Sequence, residues 1–593
     1  MHRIRAVARD YWWIGPLIVV AGSILWAMNI YFPKIGDDFR YFLGELFAGN
    51  WHFYRQGLLP PRFIPQLCGG FPQYGNPHDM YYSLTQLLFL LLPAWSAIQI
   101  SVITMLCIGY AGWYLVGRDV MDLEKHWSHA FALIVIANGF HLAHMAAGHL
   151  NYQMIPVIGW FVWLLLDRRR NDDLWILVIR TIAFGLLALT FIHAGEYPAL
   201  AFTAVLMAFA IPLDMLMSAS FGNIHRARTL VCRTVFAGAA ALILCMSKII
   251  AVWSFMRYFP RSVPFDKFIT FGSSVTHALR AFFKFPQWPG LFVNFPLGTH
   301  EHTMFVSPAV LPSIAMGLVL VFLSKKPWLS RWKQGALAIV FIIFTTVFFL
   351  QISSGHGFFS QWLNALPVFS SLHAMTRFLY IPAIFLAAVA MWSLQLFCRR
   401  FMPDHKKHIA VAVCIVTAVA LPFAEKPIFR GIAIGHPYDV LLQEKAASPF
   451  PRNTFTHVVR SIDSWQTVLR GSTAIYCYEP LLSSANWPQA KELRVGPVRQ
   501  IFGGAWNIVN PSCYQYPKEN DCKPGDRIRL SDSENFERFI RGLPTSWKLS
   551  TMQHAADAIT LISLAASLFT LTALAFRSFV QDSRRRTRKA TAS

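Results

Sequence analysis

The sequence predicts an all-α polytopic membrane protein, and three observations carry that prediction. Of 593 residues, 55% are hydrophobic and 14% charged, with a mean hydropathy of +0.42, far more apolar than a soluble globular chain. Apolar stretches near 13–32, 94–117, 127–145, 152–167, 174–193, 198–217, 230–252, 304–323, 335–352, 374–396, 409–424 and 554–577 approach the roughly 20 residues that a helix needs to cross a bilayer. They imply about twelve transmembrane helices. Basic residues then mark every second exit: Arg118 and Lys125, Arg168 to Arg170, Arg226 to Arg233, Lys325 to Lys333, Arg399 to Lys407, and the Arg584 to Lys589 tail. These loops and both termini are therefore expected on the cytoplasmic side of an inner or plasma membrane.

The net charge of +23 is spread over span ends instead of forming one surface, which excludes nucleic acid as the expected partner. The first span is too long for a signal h-region and lacks a small-residue cleavage site, so it is expected to remain as a membrane helix. The layout that follows is a transmembrane domain over 1–424, with outer loops at 33–93 and 253–303. A small α+β extracytoplasmic domain over 425–553 and a last helix with a basic tail over 554–593 complete it.

The first outer loop is the richest segment. Asp37 and Asp38 stand where the chain leaves the membrane, and Phe39, Phe42, Leu43, Leu46 and Phe47 follow at helical spacing. One apolar stripe of that length suits a helix lying in the membrane interface, with the acids at the bilayer surface. Arg55 and Arg62 come next among aromatics and prolines, then Tyr74, and Asn76-Pro77 reads as a cap that opens a second apolar helix.

Later outer segments add charge and imidazole. His141 and His144 share a helical face, a spacing open to metal ligation, although packing near the interface explains them more simply. His193 and Glu196 lie in the next outer turn, and Arg257, Arg261, Lys267, Arg280 and Lys284 run against the inward bias of positive charge. A phosphate is one reason for cations there, and lipid headgroups are another. His300, Glu301 and His302 converge on a metal only in an extended stretch, and Arg377 sits at the mouth of a span. Lys248, the main charge within a span, lies near enough to the span end to snorkel. In the soluble domain, Thr473–Tyr478 and Arg527–Leu530 read as strands and Lys523-Pro524-Gly525 as a turn. Cys513 and Cys522 are close enough to bond, with Cys477 either free or a partner for one of them.

An acidic pair directly after the first span, followed by interfacial helices, resembles the GT-C superfamily of integral-membrane glycosyltransferases. The run Gly36-Asp37-Asp38-Phe39-Arg40-Tyr41 is similar to that family's acidic signature, with Asp38 in the second acidic place. Gly69 to Pro93, GGFPQYGNPHDMYYSLTQLLFLLLP, and Arg377 to Ala390, RFLYIPAIFLAAVA, are closer to the bacterial YfhO-type membrane proteins. The resemblance implies a GT-C-like transferase that takes a sugar from a polyprenyl-phosphate carrier and passes it to a lipid or glycan acceptor hydroxyl on the outer face. It places the catalytic acid at Asp37, with Asp38 beside it. In relatives a second acid in a later outer loop helps, sometimes through a divalent metal such as magnesium or manganese. Here Glu196 or Glu301 would have to serve beside Asp38, or the metal is absent, and the His300–Glu301–His302 triplet supplies the other candidate ligands.

Chemistry supports those roles in outline. A carboxylate accepts the acceptor's proton as the anomeric carbon is attacked, and cations stabilise the leaving phosphate. Arg55, Arg62, Arg257, Arg261, Arg280 and Arg377 are the candidate phosphate contacts, and His193, Glu196, Tyr74 and Asn76 the candidate substrate contacts. Two other classes fit the same sequence. One is a transporter or flippase of lipid-linked saccharide, against which stands the absence of a repeat and of a clear mid-membrane ionisable relay. The other is a non-catalytic envelope-assembly protein.

Overall fold

The computed structural model describes residues 11–28, 38–168, 173–220, 224–259, 271–283, 301, 303–323, 332–366, 369, 375–424, 455–460, 464–475 and 492–592. The described residues are mostly helical, and among them eight helices are long and apolar enough to cross a membrane. These are Ala94–Val120, Lys125–Ala147, Leu174–His193, Tyr197–Met215, His225–Met256, Met375–Phe401, Pro403–Ala424 and Thr551–Arg577. Helices also occupy the other four expected spans, but their apolar parts are shorter: Ile14–Met28, Leu150–Leu166, Val310–Leu320 and Ile343–Ser354. The Leu150–Leu166 stretch is broken into short turns before Gly159–Leu166, because Pro156 cannot donate a backbone bond.

Close helix contact rests on small residues. A side chain at Gly109 would meet the Pro156 backbone at 2.5 Å, and one at Gly112 would meet Trp160 at 2.7 Å, so Ala94–Leu115 lies tightly on the broken helix. Leu174–His193, Ile224–Met256 and the last helix, Thr551–Ala592, pack in series, and Val310–Leu323 packs on Tyr380–Phe401. At one end of the bundle, Arg168 and Arg226 of the basic exits share Asp214, and Arg180, inside Leu174–His193, pairs with Asp167.

The opposite end carries the 57–93 segment and the small mixed domain. Strand β1 (His457–Val459) pairs in parallel with β2 (Ser472–Ala474) and antiparallel with β3 (Gly496–Pro497). The strands β4 (Ile501–Phe502), β5 (Ala505–Val509) and β6 (Arg527–Arg529) form an antiparallel sheet. Gly503 and Gly504, both at positive φ, make the two-residue turn between β4 and β5 that matches strand twist. Lys523-Pro524-Gly525 forms its expected turn, closed by Asp526 N–H on the Lys523 carbonyl at 3.0 Å. The Cys513–Cys522 disulfide is present, while Cys477 lies outside the described residues. Cys68 is disulfide-bonded as well, a role the sequence reading did not give it. Cys68, Gly69 and Gly70 all adopt positive φ, and the Gly69 carbonyl accepts from Val509 N–H at 2.9 Å. The first loop is thereby stitched to the mixed domain.

Three sequence expectations change here. The helix Phe39–Gln56 does not present its apolar stripe to lipid: Phe39, Phe42, Leu43, Leu46 and Phe47 are all buried, with Phe39 against Trp95 and Phe47 against Phe89. Periodicity shows which face is apolar but not what covers it. Asn76 does not open the next helix, which starts at Leu84 with Ser83 as its cap. Lys248 does not snorkel, since it is fully buried and bonded to Asp79 at 2.9 Å.

Candidate functional site

Two charged clusters lie at the loop-bearing end, and the helix Phe39–Gln56 contributes to both. The first is built by a helix stop. Asn138 caps the helix Gly139–Ala147, and Gly148 ends it in the left-handed conformation, which a Cβ would oppose. A Cβ there would also meet Phe39 N at 2.6 Å, so only glycine lets this end sit on the start of Phe39–Gln56, where Asp38 N–H reaches the Ala147 carbonyl at 3.3 Å. His149, the next residue, then places Nε2 at 2.8 Å from Asp38 Oδ2. Asp38 occupies the N-cap position of its helix, yet its side chain makes no capping bond and turns to His149 instead.

Around that pair stand His144, Glu301, Arg377 and Tyr152. Arg377 grips both oxygens of Glu301, with Nε at 2.5 Å from Oε2, and donates to the Tyr152 hydroxyl. A bidentate guanidinium fixes both the position and the plane of the carboxylate. His144 Nδ1 lies 2.9 Å from the Phe140 carbonyl, and its Nε2 lies 3.9 Å from Glu301 Oε2. Ligand-type atoms of His144, His149 and Glu301 all fall within 4.8 Å of one another.

The second cluster runs from that same helix to the last one. Asn76 donates to the Tyr41 hydroxyl at 2.8 Å and to Glu45 at 3.4 Å. Gln73 bridges Glu45 and Asp79, Asp79 pairs with Lys248, and the Lys248 ammonium sits 4.8 Å from the Tyr74 ring centre. Tyr74 continues to Ser247 at 2.8 Å, Ser247 donates to Asp557 at 2.6 Å, and Arg62 pairs with Asp557. Burial pushes the Tyr74 phenol up to about 12, so it stays a neutral donor. On the same face of the loop, His52 Nε2 lies 2.9 Å from the Leu59 carbonyl, and burial lowers its imidazole to about 4.

The expected residues distribute as follows. Asp38, Glu301 and Arg377 belong to the first cluster. Tyr74, Asn76 and Arg62 belong to the second, beside His193, whose ring is 5.9 Å from that of Tyr74. Glu196 is fully buried and accepts from Met154 N–H at 3.2 Å. Burial raises its carboxyl well above the usual range. Arg55 lies over Trp51 at the far end of Phe39–Gln56, about 25 Å along the helix from Asp38. Arg257 stacks on Trp253 and Tyr258, and Arg280 is half-buried on Phe271–Phe283. Asp37, Arg261, His300 and His302 lie outside the described residues. Sequence reasoning missed Glu45, Asp79 and Asp557 and gave His149 no role. An acid inside an apolar stripe, Glu45, was the available signal.

The chain matches no family model, no curated protein and no solved structure. What the first cluster can do chemically is therefore read from its own groups: a carboxylate held by an imidazole, a second carboxylate held by a guanidinium, and two histidines on one centre. That set suits proton transfer beside an anion or a metal ion.

Proposed function

We propose that the chain is an integral-membrane glycosyltransferase of GT-C type, moving a sugar from a polyprenyl-phosphate carrier to an acceptor hydroxyl on the extracytoplasmic face. The observation that supports this reading is the Asp38–His149 pair, seated beside Arg377 at the end of a bundle of apolar helices. Asp38 keeps 16% side-chain exposure and His149 8%, so the carboxylate is the more accessible member. In the proposed step Asp38 accepts the hydroxyl proton while His149 holds it. The acceptor oxygen bonds to the anomeric carbon as the carbon–oxygen bond to phosphate breaks, and the phosphate leaves with the electron pair. Arg377 supplies positive charge nearby. Asp37, the adjacent acid that the family resemblance favours, belongs to the same proposal.

The test is lipid and glycan mass spectrometry of cells lacking the chain and complemented with wild type or Asp38→Asn. Loss of a defined sugar in the deletion, restored by wild type and not by Asp38→Asn, is expected. An unchanged glycan and lipid profile in the deletion overturns the reading.

The second cluster favours a competing reading, transport of lipid-linked saccharide, because Lys248 and Asp79 form the kind of buried ionisable pair that transporters use. Labelled lipid-linked sugar crossing the bilayer of reconstituted vesicles without transfer to an acceptor would favour it.

A further inference from the structure

We propose that His144, His149 and Glu301 form a binding site for a zinc-class transition metal, with Asp38 orienting His149 from outside the donor set. The inference rests on donor geometry and not on the transferase reading. The donors arrive from two separate stretches: the end of Gly139–Ala147 with the turn after it, and the segment ahead of Val310–Leu323. All are buried or nearly so, with His144 at 0%, Glu301 at 4% and His149 at 6% exposure.

Tautomer logic points to a cation. The Phe140 carbonyl can only accept, so His144 Nδ1, 2.9 Å away, carries the proton. His144 Nε2 then presents a lone pair, and what it faces at 3.9 Å is an oxygen of Glu301. Two acceptors directed at each other in a buried place repel. Positive charge between the two, from a metal ion or from a second proton on the imidazole, relieves that repulsion. An imidazole donating its outer N–H to a backbone carbonyl while its inner nitrogen faces a carboxylate is also the arrangement that orients metal-bound histidine. Glu301 is itself oriented by Arg377, and Asp38 Oδ2 is 2.8 Å from His149 Nε2.

The donor set selects the metal. Tetrahedral zinc at about 2.0–2.2 Å from each ligand separates neighbouring donors by about 3.3–3.6 Å. The donor atoms of His144, His149 and Glu301 lie within 4.8 Å of one another, so side chains must draw in by up to about 1 Å on binding. Two imidazoles with one carboxylate suit zinc or cobalt with an open fourth position, whereas magnesium and manganese prefer oxygen ligands. The magnesium or manganese that the resemblance implies is thus the less favoured occupant. The carboxylate offsets part of the ion's charge, and Arg377 leaves the centre with a net positive charge, a suitable neighbour for a phosphate.

The experiment uses the full chain purified in detergent, stripped with a chelator and titrated with Co(II) and then Zn(II). Wild type should take up about one Co(II) with the visible absorption of a tetrahedral ion, and Zn(II) should displace it. His144→Ala and His149→Ala should each weaken uptake by more than about 100-fold, beyond the loss typical of an outer-shell partner. Zinc should raise the melting temperature of wild type alone, and in chelator all three proteins should melt together. If an alanine variant melts lower in chelator, His149→Gln, which keeps a polar group beside Asp38, replaces it. Absence of Co(II) absorption in wild type, or variants that bind as well as wild type, overturns the proposal. Because metal uptake is read without turnover, its failure is distinct from a failure of sugar transfer.

Discussion

The two charged clusters share one helix and nearly equal burial, yet they are built to different ends. In the Glu45–Asp79–Lys248 cluster, successive polar groups meet at hydrogen-bond distance, from Asn76 through Gln73 to Ser247 and Asp557. In the Asp38–His149 cluster, two partners are tightly held, but His144 and Glu301 stop 3.9 Å apart. The first arrangement ties the opening loop to the last helix. The second leaves groups of complementary chemistry around a common point, and catalysis or ligation needs that kind of arrangement. The lesson is that burial and charge alone do not separate a scaffold from a candidate site; the convergence of donor atoms on one point is what differs.

Breaking the scaffold should produce the largest stability effect. Lys248→Met strands Asp79 without its cation at 1% side-chain exposure and is expected to cost about 3–5 kcal/mol. The double variant Lys248→Met/Asp79→Leu should regain much of that loss. Thermal unfolding in detergent checks both, and a double variant as unstable as the single one would mean that the pair is not the unit described here.

His52 gives the next effect, and it depends on pH. Its folded value is depressed to about 4 by burial, so its contribution is fully present above the unfolded value near 6.5 and is lost as pH falls toward 4. The loss is on the order of 3 kcal/mol. His52→Gln keeps a donor for the Leu59 carbonyl but does not titrate. Its melting temperature should fall less than that of wild type between pH 6.5 and 4, and superimposable profiles would remove His52 from the acid response.

The smallest effect is expected at the solvent-side end of the cluster. Arg62 and Asp557 retain 23% and 27% side-chain exposure, which screens their attraction. Arg62→Gln should cost about 1 kcal/mol or less. A loss as large as that of Lys248→Met would show that the chain of bonds carries load to its exposed tip.

Much of this architecture was legible in the sequence, for identifiable reasons. Apolar length gave the helical membrane character, cysteine spacing gave Cys513–Cys522, and Pro524-Gly525 gave a turn, because each is a local property. The acidic pair also drew attention to the loop from which both charged clusters take residues. The rest depended on partners distant in the chain. Asp79 meets Lys248 across 169 residues and Arg62 meets Asp557 across 495, and no periodicity encodes such contacts. Glu45 sat inside a stripe that fitted lipid contact equally well. His149 acquired its role only through the Gly148 helix stop, which brings it onto the start of another helix.

The distinction between site and scaffold comes down to Asp38. Asp38→Asn keeps size and a polar group, so the purified protein should melt as wild type does while transfer of sugar from a polyprenyl-phosphate donor falls by about 100- to 10,000-fold. Full turnover in a variant that melts like wild type would contradict the account.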